Sequence, residues 1–241
     1  MGVGLPVSDR SYPLGTRAYG TYVARAEVLS PVLEAARQQG YSLAAACSAC
    51  NASLHAHGSD RSDPGGWPFR LRPFTLADFG AVREASGDSY IPLITTVPAA
   101  FTEDEGHRFI ERQLSRAAQG TGYSFAIADA GTDRGVGQVG LWLKDLGEGR
   151  ASIGYWVVRS ARGRRAAASA LQALALWALD DLQVPRLELY VEPWNMASIK
   201  TAERAGFQRE GLLRSWQEVG GTRKDMYMYA RLPGDPAPFA S

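Results

Sequence analysis

Hydrophobic and polar residues follow two different periods between residues 69 and 232, and this pattern predicts strands and helices in mixed order. Period-two alternation and apolar runs bounded by turn residues predict strands at Phe69–Phe74, Tyr123–Asp129, Val136–Lys144, Ala151–Val158, Arg186–Val191, Leu212–Val219 and Thr222–Leu232. Helical spacing with start and stop signals predicts helices after Thr75, after Thr102, at Arg164–Leu182 and at Ala197–Ala205.

This order of elements predicts a mixed α+β fold, in which helices flank a central, mostly antiparallel sheet. The expected sheet contains one parallel crossover, from Ala151–Val158 through the helix Arg164–Leu182 to Arg186–Val191. Open sheets with a parallel step tend to bind ligands beyond the carboxyl ends of the parallel strands. We therefore expect the functional residues at that edge.

The chain divides near Gly58–Gly66, where only turn-forming and solvated residues occur. Residues 1–66 are predicted to form an Ala-rich, partly helical extension and linker, with one helix at Pro31–Gln39. Residues 67–233 are predicted to form the main domain, and residues 234–241 a disordered tail.

Charge and composition exclude several classes of function. The net charge is +1 and 21% of residues are charged, which argues against a general nucleic-acid-binding protein. No apolar run reaches the roughly 18 residues of a membrane span. The first residues lack the pattern of a secretory signal, and two cysteines build no disulfide framework. We expect a cytoplasmic protein that binds no membrane, as a monomer or a homodimer.

The cysteines lie close to two histidines, in the order Cys47, Cys50, His55 and His57. Cysteine and histidine at such spacing can ligate zinc. Against this, the surrounding alanines favour a helix without the usual turn glycine, and no second ligand pair occurs elsewhere. We predict thiols without a bound metal, with a zinc site as the alternative.

Four arginines, Arg159, Arg162, Arg164 and Arg165, surround Gly163 at the start of the long predicted helix. Helix starts prefer acidic residues, because their unpaired N–H groups and the helix dipole are positive. A phosphate would resolve this mismatch by accepting hydrogen bonds from backbone N–H groups and guanidinium groups. The alternative is a solvated basic turn.

Ile153–Val158, followed by Ala161–Arg164, resembles the central strand and pyrophosphate loop of the GNAT superfamily of N-acetyltransferases. The closer resemblance is to the ribosomal-protein-alanine acetyltransferase type. Further matches are Leu71–Phe74, Val136–Leu141, Asn195–Ser198, Ala205–Gly211 and Asp225–Leu232. The resemblance covers residues 69–232 in uninterrupted order, and it implies a GNAT fold and an acyltransferase activity.

The resemblance implies that acetyl-CoA is the acyl donor. Its phosphates would bind at Arg162, Gly163, Arg164, Arg165, Ala166 and Ala167. The backbone of Val157 and Val158 would bind the cofactor and supply N–H groups to the developing oxyanion, at roughly 3–4 kcal/mol for each donor. The family has a second glycine where Arg165 stands, so this side chain either crowds the pyrophosphate or swings out and contacts it.

Asn195 and Ser198 lie three residues apart, on one face of the next predicted helix. The resemblance implies that Asn195 binds the cofactor arm and that Ser198 gives a proton to the departing CoA sulfur. Helix capping by Asn195 is the alternative, and both roles can coexist.

The position of the family's general base falls on Gln217, which cannot take a proton. Its neighbour Glu218 should point to the other face of a regular strand. Three explanations remain: a bulge turns Glu218 inward, a water relays the proton, or no strong base is needed. The last favours an α-amine, which at a pKa near 8 is about a tenth neutral at pH 7, over a lysine amine near 10.4.

Acceptor binding is expected at the loop of residues 86–100, around Tyr90, together with Trp142, Trp156 and Trp216. Tyr155 and Trp156 alternate along one strand, so one ring should face the acceptor and the other should pack in the core. The alternative is that these residues only cover the core. The carboxylates that could meet the acceptor ammonium are Asp88, Glu103 and Asp225.

The sequence therefore predicts an enzyme, an N-acetyltransferase in which a primary amine attacks the thioester directly. The expected acceptor is the α-amine of a protein or peptide N-terminus, with a small antibiotic-type amine as the alternative. A CoA-binding sensor without catalysis is a second class, favoured by Arg165 and Gln217.

Overall fold

The structure, a computed structural model, describes residues 68–236, which place helices on both faces of one sheet. The strands are β1 Phe69–Arg72, β2 Gly122–Asp129, β3 Gly135–Trp142, β4 Ala151–Val157, β5 Leu187–Val191, β6 Gln208–Val219 and β7 Thr222–Arg231. The α-helices are α1 Phe79–Ser86, α2 Ile91–Ile94, α3 Glu103–Ala118, α4 Ala166–Asp180 and α5 Met196–Arg204. The predicted helix Pro31–Gln39 and the Cys47–His57 cluster lie outside the described residues.

The sheet has the strand order β1-β2-β3-β4-β5-β7-β6. Every neighbouring pair is antiparallel except β4 and β5, which are parallel and joined through α4. This arrangement confirms the predicted mixed α+β fold with a single parallel crossover among the described strands.

The parallel strands β4 and β5 separate soon after they begin. They pair only at Ala151 with Leu187 and at Ser152 with Glu188, so the rest of β4 has no strand on that side. Val158 N–H donates to Val136 O on β3 at 2.9 Å. Because antiparallel bonding alternates, Ile153, Tyr155 and Val157 direct their backbone N–H and C=O groups away from β3, into the split.

The two faces of the sheet carry different helices. On one face, Trp177 of α4 packs edge-on against Tyr123 and Phe125 of β2. On the other face, Gln113 of α3 accepts a hydrogen bond from Ser124 of β2. Since neighbouring strand residues point to opposite faces, α4 and α3 lie on opposite sides of the sheet. The split between β4 and β5 therefore opens to both faces of the sheet.

The alanine-rich helix α4 packs on its face over much of its length. Leu171 and Leu174 are fully buried, and Ala170, Ala175 and Ala178 are fully buried beside them. Small side chains let the helix approach the strands closely, and each buried leucine contributes about 2–3 kcal/mol. This packing holds the start of α4 at the carboxyl edge of β4.

Two predicted helices differ from the observed ones at their starts. The long helix begins at Ala166 rather than Arg164, because Arg165 adopts a left-handed conformation (φ 62°) that no α-helix can include. The helix expected after Thr75 begins with a 3-10 turn at Leu76–Asp78, in which Leu76 is 58% exposed, and becomes α-helical at Phe79. Thr102 caps α3 as predicted, accepting a hydrogen bond from Glu105 N–H.

Candidate active site

A cavity of about 490 Å³ occupies the split between β4 and β5. Its wall combines the segment around α2 with the diverging strands, the start of α5 and the β6–β7 hairpin. The lining residues are Tyr90, Ile94, Thr95, Thr96, Gln138, Trp142, Ser152, Ile153, Gly154, Tyr155, Trp156, Leu189, Tyr190, Val191, Glu192, Asn195, Ser198, Gln217 and Met226. The cavity thus lies at the edge of the sheet where the sequence places the functional residues.

The start of α4 carries the features of an anion site. Its cap residue, Arg165, makes no side-chain cap, and the first turn contains no acidic residue. The N–H groups of the first turn therefore have no intrahelical acceptor. Gly163 has φ +82°, so it is needed for its backbone conformation, and open space surrounds the position of its missing Cβ.

The arginines of this loop are partly engaged by the protein itself. Arg162 donates to Asp88 at 2.7 Å and to Val157 O at 3.2 Å. Arg164 donates to Asp129 at 2.9 Å and lies over the ring of Phe69. Asp88 and Asp129 thus already balance the positive charge of two arginines that were expected to bind phosphate. These contacts fix the shape of the loop, and the Arg165 side chain is exposed.

The backbone edge of β4 offers hydrogen-bonding groups to a ligand in the split. The N–H of Val157 faces the split, whereas the N–H of Val158 is already used by Val136 O. Ser152 pairs with Glu188, so the N–H of Ile153 belongs to the β4–β5 ladder, and the C=O of Val157 accepts from Arg162. The open backbone groups next to the cavity are therefore those of Tyr155 and the N–H of Val157. Of the two valines expected to bind the cofactor through their N–H groups, only Val157 directs its N–H group there.

The start of α5 brings Asn195 and Ser198 to the same cavity. Asn195 Oδ1 accepts the hydrogen bond from Ser198 N–H at 3.1 Å, so Asn195 caps the helix. Its amide NH₂ group is not used by this cap. Ser198 is partly exposed on the cavity wall.

The Tyr155 hydroxyl is buried close to Ser198 and has no hydrogen-bond partner among the described residues. Burial raises the pKa of this hydroxyl above its ordinary value, and the nearby Ser198 and Thr201 hydroxyls oppose the rise. A buried polar group without a partner is costly, so a ligand atom that reaches Tyr155 would be stabilised.

The acceptor-side aromatic residues divide into two groups. Tyr90, Trp142 and Trp156 line the cavity. Trp216 does not line it but stacks on Tyr190, which does. Trp156 is 4% exposed, and its Nε1 donates to Gln138 Oε1 at 2.7 Å. Both Tyr155 and Trp156 reach the cavity because the split opens it to both faces of the sheet.

Glycines on two strands hold the Trp142 ring flat against the sheet. Gly140 and Gly154 are cross-strand partners. A Cβ at either position would lie 3.0 Å and 3.2 Å, respectively, from the Trp142 ring. Larger residues there would push this ring into the cavity.

The two candidate bases are placed differently. Gln217 lines the cavity, and Glu218 is exposed. A bulge is present, but it lies between Leu213 and Gln217, with Ser215 at φ 49°. Gln217 then pairs with Lys224 and Glu218 with Arg223, so regular alternation resumes and leaves Glu218 outside.

Asp88, Glu103 and Asp225 have other surroundings. Asp88 binds Arg162, and Asp225 accepts a hydrogen bond from Ser215 N–H at 2.7 Å. Glu103 lies exposed in the first turn of α3. None of the three lines the cavity.

Sequence reasoning missed Glu192, the carboxylate that lines the cavity among the described residues. It is 4% exposed and follows β5 directly. Tyr90 and Trp194 donate hydrogen bonds to its two oxygens. The available signal was its position, since the carboxyl ends of parallel strands are where open sheets bind ligands.

The observed groups fit acetyl-CoA. The uncapped start of α4 can receive phosphate, the unpaired edge of β4 can bond the amide-bearing arm, and the Ser198 and Tyr155 hydroxyls line the cavity next to that edge. Bound there, acetyl-CoA supplies an acetyl group on a thiol leaving group. With acetyl-CoA in this position, backbone N–H groups of β4 would be the donors for the oxyanion, and the Ser198 hydroxyl would be the donor for the sulfur.

Known proteins resemble this chain in sequence and in fold. The family model described as "Acetyltransferase (GNAT) domain" matches residues 69–208. The N-acetyltransferase p20 of Bacillus licheniformis, itself uncharacterized, is 37% identical over 162 residues, which cover 67% of this chain and 91% of that protein.

Solved structures show the same fold. Mycobacterium smegmatis RimJ, in complex with CoA-disulfide, aligns with a TM-score of 0.60 and 26% identity over 68% of this chain and 82% of its own. The ribosomal-protein-S5-alanine acetyltransferase of Vibrio fischeri aligns with a TM-score of 0.59 and 16% identity, over 70% and 95%. No helix within residues 68–236 is long and apolar enough to cross a membrane. The chain belongs to the GNAT acetyltransferase family, and it is an N-acetyltransferase that takes its acetyl group from acetyl-CoA.

Proposed function

We propose that this enzyme acetylates the α-amine at the N-terminus of a protein or peptide. The charge of the cavity carries this proposal. Among the lining residues Glu192 is the one carboxylate, and none is lysine, arginine or histidine. A wall of this kind suits an acceptor with one ammonium group. An acceptor with several positive charges would need further carboxylates.

The position of the proton acceptors supports the same choice. Gln217 stands where the resembling enzymes have a glutamate, and Glu218 is exposed. An α-amine with a pKa near 8 is about a tenth neutral at pH 7, whereas a lysine amine near 10.4 is less than about a thousandth neutral. A cavity with a single carboxylate to accept a proton therefore favours α-amines, which lose their proton most readily. The ribosomal-protein acetyltransferase named among the solved structures is consistent with such an acceptor.

A small-molecule amine is the second candidate, because a cavity of about 490 Å³ has the size of an ordinary small-ligand site. An acceptor panel separates the two. We would measure thiol release from acetyl-CoA with N-terminal hexapeptides, the same peptides with a blocked N-terminus and a free lysine, polyamines and aminoglycosides.

The expected result is turnover with free N-termini, at least tenfold above that with blocked peptides. Faster turnover with a polyamine or an aminoglycoside would overturn the proposal. We further propose a cytoplasmic location and a monomer or homodimer, which cell fractionation and size-exclusion chromatography test.

A further inference from the structure

Glu192 stands at the point where the sheet opens. It follows Val191, the last residue of β5, and lines the cavity across from the unpaired half of β4. The residue is 4% exposed. Its carboxylate is thus enclosed by protein but borders the space in which the acceptor must meet the thioester.

Two neutral donors fix this carboxylate. The Tyr90 hydroxyl donates to Oε1 at 2.6 Å, and the Trp194 indole Nε1 donates to Oε2 at 2.8 Å. Each carboxylate oxygen can accept two hydrogen bonds. One acceptor position on each oxygen is therefore left for a ligand.

Glu192 lacks a positively charged partner in the part of the chain that the structure describes. Within residues 68–236 it forms no ion pair with lysine, arginine or histidine. A buried carboxylate without a counter-charge is costly, even when neutral groups hydrogen-bond to it. By comparison, Glu188, a buried glutamate on β5 itself, has the Arg186 guanidinium at 2.8 Å. A cation that enters the cavity would give Glu192 the partner it lacks.

We infer that Glu192 binds the ammonium form of the acceptor and accepts its first proton, with Tyr90 and Trp194 as positioning residues. This inference rests on the N-acetyltransferase activity and holds for either acceptor class under Proposed function. It also assigns to Glu192 the task that Gln217 cannot perform.

The atoms balance in the following way. One proton passes from the acceptor nitrogen to a Glu192 oxygen, which gives a neutral amine and a carboxylic acid. The nitrogen lone pair then forms the C–N bond while the C–S bond breaks and its electron pair leaves with sulfur. The second nitrogen proton ends on sulfur by way of a hydroxyl such as that of Ser198, and Glu192 returns its proton to water.

The groups that surround Glu192 leave it as the charged member of the cavity wall. Tyr90 faces it from the segment before α2, and Tyr155 lies on β4. Burial raises the pKa of both tyrosines, and the hydrogen bond to Glu192 raises that of Tyr90 further. Both hydroxyls therefore stay neutral at assay pH, and Gln217 on β6 carries no charge.

A binding cycle tests the inference without turnover. With CoA bound, calorimetry at pH 7 would compare the best acceptor from the panel with its desamino analogue, on wild type and on Glu192→Gln. We expect wild type to bind the amine at least tenfold more tightly than the analogue, and Glu192→Gln to bind the two within threefold of each other. The kcat of Glu192→Gln should fall at least tenfold, with the KM for acetyl-CoA within threefold of wild type.

Glu188→Gln is the matched control, because it removes a buried glutamate on β5 that does not line the cavity. It should keep the amine preference. If Glu192→Gln does not fold, Glu192→Asp is used instead. Its side chain is one methylene shorter, so the charge lies further from the acceptor, and the preference for the amine over its desamino analogue should fall at least threefold. An unchanged preference in either Glu192 variant, or a loss in Glu218→Gln instead, would overturn the inference. Turnover limited to polyamines would refute only the peptide acceptor.

Discussion

Ser198 and Tyr155 bring two hydroxyls to the end of the cavity nearest α5. The resemblance implies that Ser198 donates a proton to the departing CoA sulfur. Replacing Ser198 by alanine should lower kcat about 10- to 100-fold. This is at or below the usual contribution of a general acid, because a thiol with a pKa of about 8.5 already leaves readily. Steady-state thiol release would show this, with the KM for acetyl-CoA nearly unchanged. Ser115→Ala is the control, because Ser115 is a partly exposed serine of α3 that does not line the cavity. A Ser198→Ala variant with wild-type kcat would show that Ser198 does not protonate the sulfur.

Arg165 occupies a left-handed conformation that costs a non-glycine residue about 1–2 kcal/mol. Glycine and alanine at this position both remove the charge, but only glycine relieves the conformation. Arg165→Gly should therefore be about 1 kcal/mol more stable to urea unfolding than Arg165→Ala. Both variants should show the same KM for acetyl-CoA, since they present the same charge. A clear difference in KM between them would mean that the backbone shape, and not the side chain, limits phosphate binding.

The role of a single residue can be predicted from the sequence when it depends on neighbouring residues, and not when it depends on contacts distant in the sequence. Asn195 caps α5, as its position before a helical stretch indicates. Glu192 has no such signal, because Pro193 and Trp194 make its surroundings look like an ordinary loop. Its importance arises from Tyr90, which is distant in the sequence but lies 2.6 Å away. Such a contact depends on how the segment before α2 lies next to the residues that follow β5, and it cannot be inferred from spacing.

At the scale of elements, the loop between β4 and α4 is held by hydrogen bonds to residues in and just after α1, on the other face of the sheet from α4. Glu84 of α1 accepts hydrogen bonds from Ser160 N–H and its hydroxyl at 2.8 Å and 2.9 Å. Asp88 accepts from Arg162 and from the N–H groups of Tyr90 and Ile91. Asp88 thus links the segment that is proposed to bind the acceptor to the loop that is proposed to bind the cofactor.

Asp88→Ala should therefore raise the KM for both substrates and lower the free energy of unfolding by about 1–2 kcal/mol, as the loss of a helix cap does. Asp88→Asn keeps an acceptor for the two N–H groups but loses the ion pair. That pair is partly exposed, so this variant should lose less than about 1 kcal/mol. Kinetics and urea unfolding measure both effects, and Glu111→Gln on the exposed side of α3 is the control. A rise in only one KM would show that Asp88 does not couple the two segments.

The stability that Asp88 contributes through these contacts depends on pH, because the pKa of its carboxyl group is shifted in the folded protein. Burial opposes the shift, but the backbone N–H groups of Tyr90 and Ile91 and the Arg162 guanidinium lower the pKa below its ordinary 3.8. A lowered folded-state pKa stabilises the fold above the ordinary value, and this contribution is lost as the pH falls through the folded value. The stability difference between wild type and Asp88→Asn should be constant from pH 6 to 8 and shrink below about pH 4. A difference that shrinks already near pH 6 would assign it to another group.

Hydrophobic periodicity predicts the strands and helices of residues 68–236 well, because each element buries one face or stripe. The starts and ends follow less well. Arg165 stops α4 through a backbone angle that no side-chain pattern reveals, and the bulge before Gln217 depends on Ser215 and Asp225 meeting across two strands. The separation of β4 from β5 is also a tertiary property, since both strands have ordinary apolar sequences.

At the scale of the whole molecule, the sheet consists of two parts that share two paired residues on each side of the split. β1 to β4 form one part, and β5 to β7 form the other. The proposed acetyl-CoA contacts lie on both parts, at the start of α4 and the edge of β4 on one side and at the start of α5 on the other. A ligand in the split should therefore act as a bridge between them.

Binding at a concentration 100 times the Kd should raise the free energy of unfolding by about 2.7 kcal/mol, which is about 5–11 °C in Tm for a protein of this size. Hydrogen exchange should show where the bridge acts, with CoA protecting amides of residues 153–157 together with those of residues 195–199. Adenosine 3′,5′-bisphosphate, which lacks the arm, should protect the start of α4 and leave residues 195–199 unchanged. If full CoA also protected only the start of α4, the arm would not span the split, and the roles of Asn195 and Ser198 would have to be given up because they require it to do so.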